Sequence, residues 1–128
     1  MRLLLAVVLG LLTPAIASAA PEQAAGRDCF LSRNWRGWSA AQEENALYLR
    51  MVDGDIYRVE LTPGSRVRRY AGEFLVNQVR GSSWICSTLD LDLALSDYNG
   101  FSRPLFPIAL RKLTPEEVAA IPPGDMPH

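Results

Sequence analysis

Two aspartates spaced two apart, Asp90 and Asp92, are the nearest this chain comes to a catalytic pair. If Leu89-Asp90-Leu91-Asp92-Leu93 is a strand, both carboxylates turn to one face and the leucines pack inward on the other. Neighbouring carboxylates raise one another's pKa or hold a hard cation such as calcium. Asp97 and Asn99-Gly100 follow closely, although the spacing departs from the Asp-x-Asp-x-Asp-Gly order of an EF-hand loop. One reading of these residues is a carboxylate-dependent hydrolase or a cation-binding protein. The plainer reading is the solvated outer face of an amphipathic strand.

Histidine limits the alternatives. His128 is the single histidine and stands last in the sequence, where an imidazole lacks the third group that a Ser-His-Asp or Cys-His arrangement needs. Histidine-rich zinc sites fall for the same reason, and two cysteines cannot complete a zinc tetrahedron. No catalytic residue, metal or cofactor is therefore expected, and the chain reads as a non-enzyme. Recognition chemistry is better represented. Trp35 and Trp38, flanked by Arg33 and Arg36, could stack on sugar rings or anchor a protein, or else cap the core beside Cys29-Phe30. The basic run Arg66-Val67-Arg68-Arg69-Tyr70 could meet phosphate or polysaccharide, or guard an edge strand by charge. Tyr48 and Tyr57 read as cross-strand packing.

The compartment is written in the first residues. Met1-Arg2, the apolar run from Leu3 to Leu12, the break at Thr13-Pro14 and the small residues from Ala15 to Ala20 form a signal peptide, with cleavage expected after Ala19. An apolar core of about 10 residues is half of what a spanning helix needs. Cleavage leaves 109 of the 128 residues, with 12 basic against 14 acidic side chains and a net charge of −2. Such a balance gives no general attraction to nucleic acid or anionic lipid. The expectation is a periplasmic or secreted protein whose partner is an envelope protein or polymer. Neither nucleic acid nor stable membrane insertion after cleavage is expected. In an oxidising space Cys29 and Cys86, 57 positions apart, read as one disulfide, the other reading being two separately buried thiols.

The elements that must position these residues are mostly of period two. Residues 20–26 are a flexible lead-in, 27–121 a single β-rich domain and 122–128 a loose tail. Strands are expected over 46–52 and 55–61, joined at Asp53-Gly54, a strong hairpin signal. Tyr57, Val59 and Leu61 should face the core. Further strands are expected over 73–79, 83–87, 89–93 and 106–113. Thr114 is a natural N-cap, Pro115 suits the first helical position, Glu117 completes a capping box, and Leu113 with Val118 could staple the entry. The fold class is all-β, a small antiparallel barrel or sandwich with one short C-terminal helix.

The ordered set Cys29-Phe30, a tryptophan, Tyr57-Arg58-Val59, Ile85-Cys86-Ser87 with Leu89 to Leu93, and Leu113-Thr114-Pro115-Glu116-Glu117-x-Ala119 resembles a domain-of-unknown-function family. Its members are small exported proteins of Gram-negative bacteria, and the likeness spans roughly residues 27–121. Members often carry four cysteines, whereas here Ser65 stands where one is common and Pro104-Leu105-Phe106 holds none. If cysteines are lost as bonded pairs, the resemblance implies that Cys29 and Cys86 are partners. The family has no assigned activity, so the resemblance implies no catalytic residue.

Overall fold

The structure is a computed structural model describing residues 28–68 and 72–128. The segments expected to be a signal peptide and lead-in, and Arg69-Tyr70 of the basic run, lie outside the described residues.

The strictest alternations build the largest sheet. In β3 (Ala46–Met51) Leu47, Leu49 and Met51 face one way, and in β4 (Ile56–Leu61) Tyr57, Val59 and Leu61 join them; all six are buried. The strands pair antiparallel, with Leu47 opposite Val59 and Leu49 opposite Tyr57. At the hairpin, the Met51 N–H donates to the Asp55 carbonyl at 2.8 Å and Gly54 takes φ +92°. The loop therefore runs through Val52-Asp53-Gly54, one residue wider than the tightest hairpin, with Gly54 in the left-handed position that this class of turn requires. β2 (Trp35–Ala40) adds beside β3, and β9 (Pro107–Lys112) beside β4.

Facing this four-stranded sheet are two smaller ones. β5 (Glu73–Asn77), β7 (Leu93–Asp97) and β8 (Ser102–Pro104) form an antiparallel three-stranded sheet. β1 (Phe30–Leu31) and β6 (Trp84–Ile85) form a two-stranded ribbon. One continuous core takes side chains from all three sheets, among them Phe30, Ile85, Leu47, Val59, Leu93 and Leu95. The fold is thus an all-β sandwich, and among the described residues the sheets do not close into a barrel.

A third layer covers the outside of the larger sheet. Ala46, Tyr48 and Ile56 are buried there against Leu113, Val118 and Ile121 around α1 (Pro115–Ala119). The Thr114 hydroxyl accepts from the Glu117 N–H at 3.3 Å, and the Glu117 carboxylate accepts from the Thr114 N–H at 3.2 Å. This is the capping box expected from the sequence, with Pro115 opening the helix. A helix this short has little stability of its own, so its apolar contact with the sheet holds it.

Three expectations need correction. Residues 89–93 are not a strand: Thr88–Asp90 form a 3-10 turn, Leu89 is 94% exposed, and β7 begins only at Leu93. The basic run is not a guarded edge strand where it is described. Arg66 takes φ +51°, Val67 is fully buried in the core and Arg68 pairs with Glu44. The tail is not loose along its length. The Ser39 hydroxyl donates to the Asp125 carbonyl, Pro127 is buried, and the His128 backbone occupies the space beside Gly37. Pro122 and Pro123 end the helix without preventing the chain beyond them from packing.

Replacing Thr114 with Ala leaves an amide of the first helical turn without its side-chain partner, a loss of ~1 kcal/mol. The chemical-denaturation midpoint should fall accordingly, and an unchanged midpoint would mean that the terminal layer does not contribute to the cooperative unit.

Candidate interaction surface

Cys29 and Cys86 are bonded to each other. Phe30 pairs with Ile85 and Leu31 with Trp84, so the same register sets Cys29 opposite Cys86, with a Cα separation of 4.2 Å. The Ser32 N–H donates to the Ser83 carbonyl at 2.9 Å, which makes the cysteines, three steps along, a close non-hydrogen-bonded pair. Phe30 meets Tyr57 with ring centroids 4.7 Å apart, which ties the ribbon to the main sheet. A bond of this kind fits an oxidising compartment. Among the described residues, no helix is long and apolar enough to cross a membrane.

Asp90 and Asp92 do not form a pair. Asp90 Oδ2 accepts from the backbone N–H groups of Cys86 and Ser87, each at 2.9 Å, and these bonds hold its carboxyl below the usual value. Its partner in this local network is the Ser87 hydroxyl, which accepts from Leu89 N–H at 3.3 Å. Asp92 lies beyond the turn and pairs with Arg80 at 2.8 Å, while its N–H donates to Asn77 Oδ1. The alternation that suggested a shared face lost to these side-chain-to-backbone bonds. Asp97 is also engaged: its Oδ1 accepts from the N–H groups of Asn99 at 2.9 Å and Phe101 at 3.0 Å, closing the turn between β7 and β8. Among the described residues, no three Asp, Glu, His or Cys side chains are grouped to hold a metal ion.

The tryptophans also depart from the exposed arrangement. Trp35 lies opposite Met51 and Trp38 opposite Leu49, with an irregularity at Arg36 between them. The extra residue restores a common side to positions three apart, and both rings pack on the core. The Trp35 indole N–H donates to the Gly37 carbonyl at 2.8 Å. Of the readings for this pair, the core cap is the one observed. Tyr48 and Tyr57 do pack, but on opposite faces of the sheet. Tyr57 lies in the main core, where burial raises its pKa, and Tyr48 lies under the helix. Arg58 sits 5.3 Å over the Tyr48 ring and donates to its hydroxyl at 2.8 Å. Burial disfavours the charge of Arg58, but its bonds to Glu60 and Glu43 outweigh that and raise its pKa.

A surface that sequence reasoning did not single out lies on the outside of the β5-β7-β8 sheet. Leu75 and Leu95 pair on the core side. The alternate positions Phe74, Val76, Ala94, Ser96, Ser102 and Pro104 therefore line the outer side. The Tyr98 ring rests 5.6 Å from that of Phe74 and is 86% exposed. None of these seven side chains carries a charge. The only visible signal was that both alternating sets of β5 and β7 are uncharged near their centres, which the sequence alone reads as a strand buried on both faces. No protein-family model, curated protein or solved structure matches this chain.

Two outcomes are expected. Losing a disulfide worth ~2–4 kcal/mol is a large fraction of the ~5–15 kcal/mol typical of a domain. Cys29→Ser and Cys86→Ser should therefore be destabilised strongly and equally, and denatured, unreduced protein should show no free thiol. Two free thiols, or clearly unequal variants, would contradict the bond. The second outcome concerns acid. Arg58 lowers the Glu43 pKa, backbone N–H groups lower that of Asp90, and Arg111 lowers that of Glu117. A depressed folded pKa gives stability above the unfolded value of about 4, which is lost as pH falls through the folded value. The melting temperature should hold down to pH ~5 and decline below ~4, with a shallower decline in Asp90→Asn. These groups are exposed, so salt should weaken the effect.

Proposed function

We propose that this protein is an exported, non-enzymatic binding module of the periplasm or extracellular space. The uncharged outer face of the β5-β7-β8 sheet would engage an envelope protein or polymer. The observation that carries this reading is the adjacent Phe74 and Tyr98 rings, exposed beside Val, Ala, Ser and Pro side chains of the same face. Aromatic faces beside small polar groups suit stacking on a sugar ring or burial against an apolar side chain. The signal peptide and the Cys29–Cys86 bond support export.

Arg58, backbone N–H groups and Arg111 respectively hold Glu43, Asp90 and Glu117 in the carboxylate form, so these three carboxyls are not poised as general acids at neutral pH. Asp90 and Asp92 take different partners, the backbone N–H groups of Cys86 and Ser87 for one and Arg80 for the other, which favours the binding reading over the hydrolase and cation readings.

Purified oxidised protein should co-sediment with isolated envelope polymer or cross-link to a protein of the periplasmic extract. Tyr98→Ala should weaken that retention at least several-fold while leaving the melting temperature unchanged, because the ring is largely exposed. Retention that survives Tyr98→Ala and Phe74→Ser together would remove this face from consideration.

A further inference from the structure

Edge strands expose unpaired backbone groups, and proteins blunt them with proline, charge, bulges or short length. Most edges of this fold carry such devices. β9 begins with Pro107, shifts register opposite Glu60 and Leu61, and carries Arg111 and Lys112. β8 is three residues long and contains Arg103 and Pro104. β2 is interrupted at Arg36. β5 has only one of these, the single charge of Glu73 at its first position. Glu73-Phe74-Leu75-Val76-Asn77 contains no proline and no basic residue, and it pairs with β7 in unbroken register. Among the described residues, no strand pairs with its other edge.

The Gln78 N–H donates to the Asp92 carbonyl at 2.9 Å, which sets the phase of the ladder. Phe74 and Val76 then bond inward to β7, and the backbone groups of Glu73, Leu75 and Asn77 point out. The segment is close to a palindrome in polarity about Leu75. Antiparallel pairing of two copies about that residue would set Leu75 against Leu75 of the second copy, Phe74 against its Val76, and Glu73 against its Asn77. Each apolar side chain meets an apolar one, and each carboxylate meets an amide that can donate to it. No like charges oppose one another. The twofold arrangement also uses up the edge on both copies, so association closes at two.

We propose that the occupant of the β5 edge is a second copy of this chain, paired antiparallel about Leu75 to give a six-stranded sheet. Sedimentation equilibrium of the full oxidised protein should show a monomer–dimer equilibrium. Asn77→Glu sets carboxylates face to face twice per dimer and should raise the dissociation constant about tenfold. Adding Glu73→Lys to that variant sets opposite charges across the same positions and should restore the dimer. Both variants lose the amide that holds Asp92 N–H, so only the pairing across the twofold axis distinguishes them. Amide exchange at Leu75 and Asn77 should slow as concentration rises, while Phe74 and Val76 stay unchanged. A wild-type monomer at all concentrations would overturn the proposal. So would a dimer indifferent to these substitutions, or capture along β5 of an extended peptide by a chain that never self-pairs.

Discussion

A ribbon of two residues per strand has too few backbone bonds to hold itself together, yet β1 and β6 close one end of the core. They do so because Cys29 and Cys86 join them at the end of the pair opposite the Ser32–Ser83 bond. Phe30 and Ile85 are thereby held inward, and Phe30 lies against Tyr57 of the main sheet. Asp90 secures the same corner by binding the N–H groups of Cys86 and Ser87. The sandwich therefore rests on a covalent tie between its first described strand and a segment 57 positions later. Without it, the chain's own local pairings are the β2-β3 and β3-β4 hairpins, the β7-β8 turn and a short helix.

Charge organisation on the helix side shows a second dependence. Arg58 and Arg111 are direct cross-strand neighbours on β4 and β9, an arrangement that is unfavourable by itself. Glu43 and Glu60 hold Arg58, and Glu117 holds Arg111. Glu117 is also the residue that completes the helix cap, so one carboxylate serves both the start of α1 and its attachment to the sheet. The helix is thereby oriented by charge as well as by the apolar contact of Leu113, Val118 and Ile121.

Much of this architecture was legible where one local rule acted alone. β3 and β4 alternate cleanly around Asp53-Gly54, and the Thr114–Glu117 box names its own helix. Legibility failed where rules competed. Leu89 to Leu93 alternates as well as any strand, but Ser87 and Asp90 offer the backbone amides nearer partners. The Trp35–Trp38 spacing puts the rings on opposite sides of a regular strand, and only the irregularity at Arg36 reunites them. β8 is short and contains proline, so it carried little signal. The exposed face of Phe74 and Tyr98 was hidden for another reason. An uncharged outer face and a buried one have the same composition, and only the packing of whole sheets tells them apart.

Having only two cysteines carries a consequence for how the fold is reached. Four cysteines admit three pairings, and a chain that closes the wrong one must be reshuffled before it can fold. Here oxidation has a single intramolecular outcome. The chain needs an electron acceptor but no isomerase, and premature closure cannot trap a scrambled form. The cost is timing, because Cys29 has nothing to bond within its own chain until Cys86 has been delivered beside it.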